Sequence, residues 1–251
     1  MGELYDRSDL YDLFESEERF QAIRRHWEKV LDGKDVRSML NVSIGTGGLT
    51  LPLADMGIQL YGSDLSQTML DRCRSNAERR GLSVDLRASD FRALRGRFDR
   101  QFDCVASTGN SLPHVNNGDV MTALREMDAL VRPGGYLYFD TRNWERILRE
   151  RERFYPYDPV CDGDVQIRVT QVWDYLDDGS MIFNLLYVFE REHRIFQKEV
   201  FEERYYPIRR QALLDELKAL GYRRIEVMCH PAYYEDVDLD RVAWYCVLAQ
   251  K

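Results

Sequence analysis

Met39-Leu-Asn-Val-Ser-Ile-Gly-Thr-Gly-Gly48, a helix-length interval, and then Leu60-Tyr-Gly-Ser-Asp-Leu-Ser66 decide how this chain folds. An apolar run enters a glycine-rich turn, a helix follows, and a second apolar run ends on an acid. Gly45 and Gly47 allow the backbone of the turn to approach a ligand closely. Asp64, at the end of the second strand, can accept hydrogen bonds from both hydroxyls of a ribose. A strand–turn–helix–strand unit of this kind suits an adenosine.

The rest of the pattern extends that unit in both directions. Phe20, Ile23, Trp27, Val30 and Leu31 recur at helical spacing and predict an N-terminal helix over 16–31, preceded by a segment carrying Tyr5, Tyr11 and Phe14. A buried parallel strand is expected at about 38–44, a helix over 49–56 closed by Gly57, and a second strand over 58–62. Ser66 caps a helix ending near Gly81, and strands follow over 84–88 and 102–107. A helix over 120–131, a breaker turn at Arg132-Pro-Gly-Gly135 and a strand over 136–140 complete the alternation. Strands alternating with helices imply an α/β fold with a doubly wound parallel sheet.

After about residue 150 the period changes. Val165, Ile167, Val169, Gln171 and Trp173 alternate with mostly polar neighbours, and Asp178-Gly179 reads as a hairpin turn. Further strands are expected over 181–190 and 195–206, then a helix over 209–220, then strands near 222–229 and 242–249. The expected organisation is an N-terminal lid segment (1–34), a core (35–150), an antiparallel β cap (151–207) and a C-terminal part completing the core sheet (208–251). The cap block is rich in Tyr and Trp, which suits a lid over the C-terminal edge of the main sheet; a structural sheet extension is the alternative.

The 251 residues carry a net charge of -8, with 44% hydrophobic and 31% charged positions. An acidic surface disfavours a nucleic-acid partner, and the basic stretch around Arg92, Arg95, Arg97 and Arg100 is short and interrupted by acids. No apolar run is long enough to span a membrane, and the N-terminus has no apolar signal core, so a cytoplasmic protein is expected. Five scattered cysteines form no Cys-x-x-Cys, and four scattered histidines show no metal-ligand spacing. No structural metal is expected.

The choice of adenosine ligand follows by exclusion. A nicotinamide-type Gly-x-Gly-x-x-Gly fails because Thr50 stands at its third glycine, and no Gly-Lys-Ser/Thr phosphate loop is present. S-adenosylmethionine has no phosphates and needs neither. It needs a close turn for its amino-acid end, an acid for its ribose and a polar group for its adenine. Gly45-Thr46-Gly47, Asp64 and Asp90, the last followed by Phe91, stand in that order at successive strand ends. Each alone has a plainer role: a simple turn, a helix cap, a second helix cap.

At this point residues 35–141 resemble class I S-adenosylmethionine-dependent methyltransferases, and within them the glycine N-methyltransferase and glycine/sarcosine N-methyltransferase group. The narrower resemblance rests on Ser107-Thr-Gly-Asn110-Ser-Leu-Pro-His114, on Arg132-Pro-Gly-Gly-Tyr-Leu-Tyr-Phe-Asp140-Thr-Arg142-Asn143-Trp-Glu-Arg-Ile-Leu148, and on Arg204-Tyr205-Tyr206-Pro207. It implies a Rossmann-like seven-stranded sheet with an inserted antiparallel cap. It implies that Asn110 and Arg142 hold an amino-acid substrate, a guanidinium being suited to clamp a carboxylate. His114 would assist deprotonation, and Tyr205 or Tyr206 would line the substrate pocket. Asn41, Ser43, Gly45, Thr46, Gly47, Asp64, Leu65, Met69, Asp90, Phe91 and Ser107 would surround S-adenosylmethionine, with S-adenosylhomocysteine as the product. Tyr11 and Arg19 would close over it, and the N-terminal segment would allow a homo-oligomer. The chain departs from the family where Asn41 replaces an acid and Ser43 a small residue. N-methylation of glycine, sarcosine or a related small amine is the expected activity. A different small acceptor, such as an amino sugar or a hydroxyl, and a non-catalytic binding protein are the alternatives.

Overall fold

The computed structural model describes residues 3–230 and 238–251; Met1 and Gly2, read above as part of the chain start, lie outside them. The strands are β1 (Ser38–Asn41), β2 (Gln59–Asp64), β3 (Val84–Ala88), β4 (Phe102–Ser107), β5 (Val131–Arg142), β6 (Phe154–Pro156), β7 (Val160–Asp162), β8 (Val165–Tyr175), β9 (Met181–Arg191), β10 (Arg194–Tyr205), β11 (Arg224–Cys229) and β12 (Trp244–Gln250). The helices are α1 (Ser8–Tyr11), α2 (Glu17–Val30), α3 (Leu51–Asp55), α4 (Gln67–Arg79), α5 (Asn117–Leu130), α6 (Trp144–Glu150) and α7 (Arg210–Ala219).

Seven strands form the main sheet in the order β11-β12-β5-β4-β1-β2-β3. Strands β1 to β5 are parallel, and β12 runs antiparallel between β5 and β11. The order reverses between β1 and β4. Connections there leave on opposite sides and open a crevice at the C-terminal strand ends. Both faces are covered. One carries α2 and α4, burying Phe20, Trp27, Leu70 and Cys73; the other carries α5 and α7, burying Leu124, Met127, Leu213 and Leu217. Met39 and Leu40 are 0% exposed on a strand buried from both sides, which is why β1 reads as a continuous apolar run.

A second sheet is wholly antiparallel, in the order β10-β9-β8-β6 with β7 also on β8. Its aromatic face joins the main core: Trp173 and Phe183 are cross-strand partners whose rings stack at 4.6 Å. Leu4 and Leu10 of the N-terminal segment pack on its other end, against Ile167, Val169, Tyr187 and Phe201. The fold is thus an α/β Rossmann-like architecture with an antiparallel cap. Among the described residues no helix is long and apolar enough to cross a membrane.

Three local expectations need correction. Strand β1 ends at Asn41, because beyond it the chain divides its bonds: Val42 N–H reaches Ala106 O on β4 at 2.8 Å and Ile44 N–H reaches Ser63 O on β2 at 2.9 Å. Helix α3 starts at Leu51 after a longer turn than expected. Arg132-Pro-Gly-Gly135 is no breaker: it lies within β5, where the register against β4 shifts between Phe102 and Cys104. Gly134 there has φ +74°, and a side chain on Gly135 would meet Asp103 O at 2.8 Å, so the glycines form an irregular strand entry.

Candidate active site

The crevice holds a cavity of about 580 Å³ at the ends of β1 to β4. Its cofactor end is built by backbone. Gly45 takes φ +55° and donates its N–H to Asp64 Oδ2 at 2.9 Å, and Ser66 N–H bonds Asp64 Oδ1 at 3.0 Å. Gly47 takes φ +90°, and a Cβ there would lie 2.8 Å from Cys73 Sγ and from Leu51 Cγ. No other residue fits that turn without displacing α4. Burial raises the Asp64 carboxyl above its ordinary range, opposed by its backbone hydrogen bonds. Each carboxylate oxygen has a second lone pair, so both remain able to receive a ribose hydroxyl.

Ser43, Asp64, Leu65, Asp90 and Phe91 line this end. Asp90 is pinned by Arg92, which bonds it through its backbone N–H (2.8 Å) and its Nε (3.0 Å); the Arg92 guanidinium holds the Asp90 carboxyl below the usual range. Leu65 offers an exposed apolar side chain, 56% accessible. A close glycine turn, an acid at the ribose position and apolar walls beside a second acid fit an S-adenosyl nucleoside without phosphates.

Other expected cofactor residues stand behind the wall. Asn41 is 0% exposed, donates to Thr108 Oγ1 at 2.8 Å and Thr50 Oγ1 at 3.3 Å, and accepts from Ser43 N–H at 3.1 Å. It ties the β1 and β4 loops together. Ser43 Oγ and Ser107 Oγ are 3.1 Å apart in the same network. Met69 and Thr46 are buried, Met69 donating its N–H to the Ser66 cap and the Thr46 carbonyl accepting from Asn76 Nδ2. Arg19 pairs with Glu15 at 3.2 Å, and that carboxylate covers the bare face of Gly48. Tyr11 packs against Tyr5 with the rings tilted, and Tyr5 is the tyrosine that lines the cavity.

The opposite end of the cavity is built by side chains. His114, in the short 3₁₀ turn Leu112–His114, shares a 3.0 Å hydrogen bond between Nε2 and Tyr5 Oη. Its Nδ1 lies 3.7 Å from Glu203 Oε2 on β10, and its ring packs on Tyr205 at 4.4 Å. Burial drives the His114 ring down to about 4 and lifts the Glu203 carboxyl to about 7. Tyr206 N–H bonds Pro113 O at 2.8 Å, fixing β10 to the His114 turn. Neither Tyr5 nor Glu203 was expected from the sequence. The available signal for Glu203 was an acid on the inward face of an alternating strand, between Phe201 and Tyr205.

Asn110 and Arg142 meet each other but not this cavity. Asn110 has φ +59°, is buried, and accepts from Thr141 Oγ1 at 2.9 Å and Arg142 N–H at 3.0 Å. Among the described residues its Nδ2 has no hydrogen-bond partner. Asp140 Oδ1 fixes that loop by accepting from Gly109 N–H (2.9 Å), Asn110 N–H (3.1 Å) and Trp244 Nε1 (3.0 Å), and burial raises its carboxyl to about 6. The Arg142 guanidinium is boxed by Trp244 at 5.1 Å, Trp173 at 5.3 Å, Phe183 at 5.4 Å and Tyr155 at 5.9 Å. Its hydrogen bonds, to Gln171 at 3.3 Å and Tyr157 at 3.5 Å, both use Nη2. It lines a separate cavity of about 120 Å³, with Tyr205 and Phe183, 4.4 Å apart, standing between it and His114. Among the described residues no group of three or more His, Cys, Asp or Glu could hold a metal ion.

Residues 39–135 match a methyltransferase domain family. The chain is 29% identical over 224 residues to a glycine/sarcosine N-methyltransferase of Parasynechococcus marenigrum, covering 88% of this chain and 75% of that one. An S-adenosylmethionine-dependent methyltransferase from Clostridium acetobutylicum has the same fold, with a TM-score of 0.76, 16% identity and 96% of each chain covered. An amino pentose methyltransferase from Micromonospora echinaspora, solved with S-adenosylmethionine bound, superposes with a TM-score of 0.69 at 16% identity, covering 94% of this chain and 92% of that one. With the turn, the acid and the matched domain coinciding on one crevice, the chain is an S-adenosylmethionine-dependent methyltransferase.

Proposed function

We propose that the enzyme methylates the amine of a small carboxylate-bearing acceptor, glycine, sarcosine or a related amino acid. One observation carries this reading. Arg142 is 8% exposed, and among the described residues no carboxylate lies within 4.0 Å of it. A buried guanidinium without an anion is costly, and a substrate carboxylate supplies the missing partner by a bidentate bond. The unpartnered Asn110 Nδ2 is a further donor beside it. The similarity to the glycine/sarcosine enzyme supports the same class.

S-adenosylmethionine, when bound, supplies a methyl group already activated on a sulfonium. The protein's part is to align the acceptor and exclude water. Asp64 and the Gly45 turn hold the nucleoside; Arg142 and Asn110 hold the carboxylate. His114, neutral because of its burial, stands where the amine arrives. Free buried thiols at Cys73, Cys104 and Cys246 support the cytoplasmic placement within this reading. A homo-oligomer belongs to it too, and sedimentation velocity tests that part.

The test is methyl transfer to glycine, sarcosine and dimethylglycine by wild type and Arg142→Ala. Transfer that survives unchanged in the variant sinks the carboxylate clamp. The amino pentose enzyme of like fold and the separation of Arg142 from the main cavity favour a second reading, an amino sugar acceptor. An amino sugar turned over faster than sarcosine would select it.

A further inference from the structure

We propose that Glu203 binds the acceptor's ammonium group and takes its proton before methyl transfer. The proposal rests on the reading of the enzyme as an amine methyltransferase and adds the group that makes the amine nucleophilic.

Glu203 is 5% exposed, yet it lines the same cavity as Ser43 and Asp64. Among the described residues its Oε1 has no hydrogen-bond partner. No Lys or Arg among the described residues pairs with it within 4.0 Å; its neighbour Arg204 also lines the cavity but is paired with Asp178 at 3.3 Å. A buried carboxyl with an oxygen facing a cavity and no Lys or Arg partner among the described residues is suited to receive a cation from outside. The groups acting on it are His114 from the loop after β4, Tyr5 and Tyr11 from the N-terminal segment, Tyr205 beside it on β10, and the charge of the chain's amino terminus, which favours the carboxylate. Arg92 also lines the cavity but is committed to Asp90 and Asp119.

The step balances simply. An acceptor ammonium gives one proton to the Glu203 carboxylate, leaving a neutral amine and a carboxylic acid. The nitrogen lone pair then forms the N–C bond while the C–S bond breaks, its electron pair returning to sulfur. The methylated product carries the remaining positive charge, and Glu203 returns its proton to solvent through the open cavity. Burial places the Glu203 carboxyl near neutrality, where a proton acceptor works with least loss on either side.

Two measurements test it. The first is kcat/KM for the acceptor from pH 6 to 10 in wild type, Glu203→Gln and Glu203→Asp. The Gln variant should lose roughly 100-fold near neutral pH. The loss should shrink as pH approaches the amine's own pKa, because free amine then arrives unprotonated. The Asp variant should recover part of it, and calorimetric affinity for S-adenosylhomocysteine should not change. A loss equal at all pH values, or no loss, overturns the proposal. The second measurement does not require turnover. The infrared difference between wild type and Glu203→Gln, without cofactor, should contain a protonated-carboxyl band that methylammonium chloride abolishes and sodium chloride does not. A band that methylammonium leaves in place also overturns it. If wild type methylates no amine tested, the functional reading falls while the infrared result still decides for Glu203.

Discussion

The two ends of the large cavity are made differently. The cofactor end is backbone: Gly45 and Ser66 amides on Asp64, a turn held open by Gly47, strand ends in fixed register. The opposite end, the proposed acceptor side, is side chain, drawn from Tyr5, His114 and Glu203, residues on three separate segments of the chain. Backbone geometry tolerates few substitutions and suits a ligand that never changes. A side-chain wall can be rewritten residue by residue while the sheet stays put, and this is how one architecture can serve different acceptors.

That contrast can be broken or sharpened by mutation. The largest effect is expected at the acceptor side: Arg142→Ala should lower kcat/KM for a carboxylate-bearing acceptor by roughly 100- to 1,000-fold, as loss of a buried charged partner does, with unaltered cofactor affinity by calorimetry. A comparable loss of cofactor affinity would show that the two ends are not separable. Next is Gly47→Ala, where positive φ and contact with Cys73 and Leu51 combine. We expect about 2–4 kcal/mol lost in denaturant unfolding; a stability within error of wild type refutes the tight turn. Asp64→Ala should weaken S-adenosylhomocysteine binding about 10- to 100-fold, since the Gly45 and Ser66 amides lose their acceptor together with the ribose contact. Binding within twofold of wild type would move the ribose elsewhere.

The smallest effect concerns pH. Glu203 titrates near 7 when folded, above the ordinary carboxyl value, so the folded state holds its proton more tightly. Its contribution to stability is complete below the ordinary carboxyl pKa and is lost as pH rises towards 7. His114 is held down to about 4, so its contribution is complete above the ordinary histidine value and is lost as pH falls. The melting temperature of wild type relative to Glu203→Gln should therefore drop, by roughly a few degrees, between pH 5 and 8. A flat difference across that range contradicts the burial of Glu203.

What was legible in the sequence follows the same division. The α/β alternation, the glycine turn and Asp64 are encoded within one short stretch, where spacing alone constrains geometry. The alternation at Val165 to Trp173 and the Asp178-Gly179 hairpin likewise marked the cap. Strands β6 and β7 were not foreseen; at three residues each they are too short to show a period. Asn41 was placed beside the cofactor by the family resemblance, but at the end of β1 it points into the seam between two loops. At the N-terminus Tyr11 was chosen and Tyr5 lines the cavity; local sequence offers nothing to separate two tyrosines on adjacent turns. Glu203 becomes meaningful only once β10 folds back across the main sheet, a contact between residues far apart in the chain.

Tyr5 reaches both ends of the cavity. Its carbonyl accepts from Ser66 Oγ at 3.3 Å while its hydroxyl holds His114, and Leu4 and Leu10 on either side are anchored in the cap. In the proposed function the nucleoside lies beneath a strap fastened at three points. Exchange of spent for fresh cofactor requires the strap to peel away, which ties turnover to the detachment rate of a short apolar segment. Loosening Leu4 or Leu10 should quicken product escape and make the enzyme less sensitive to its own by-product.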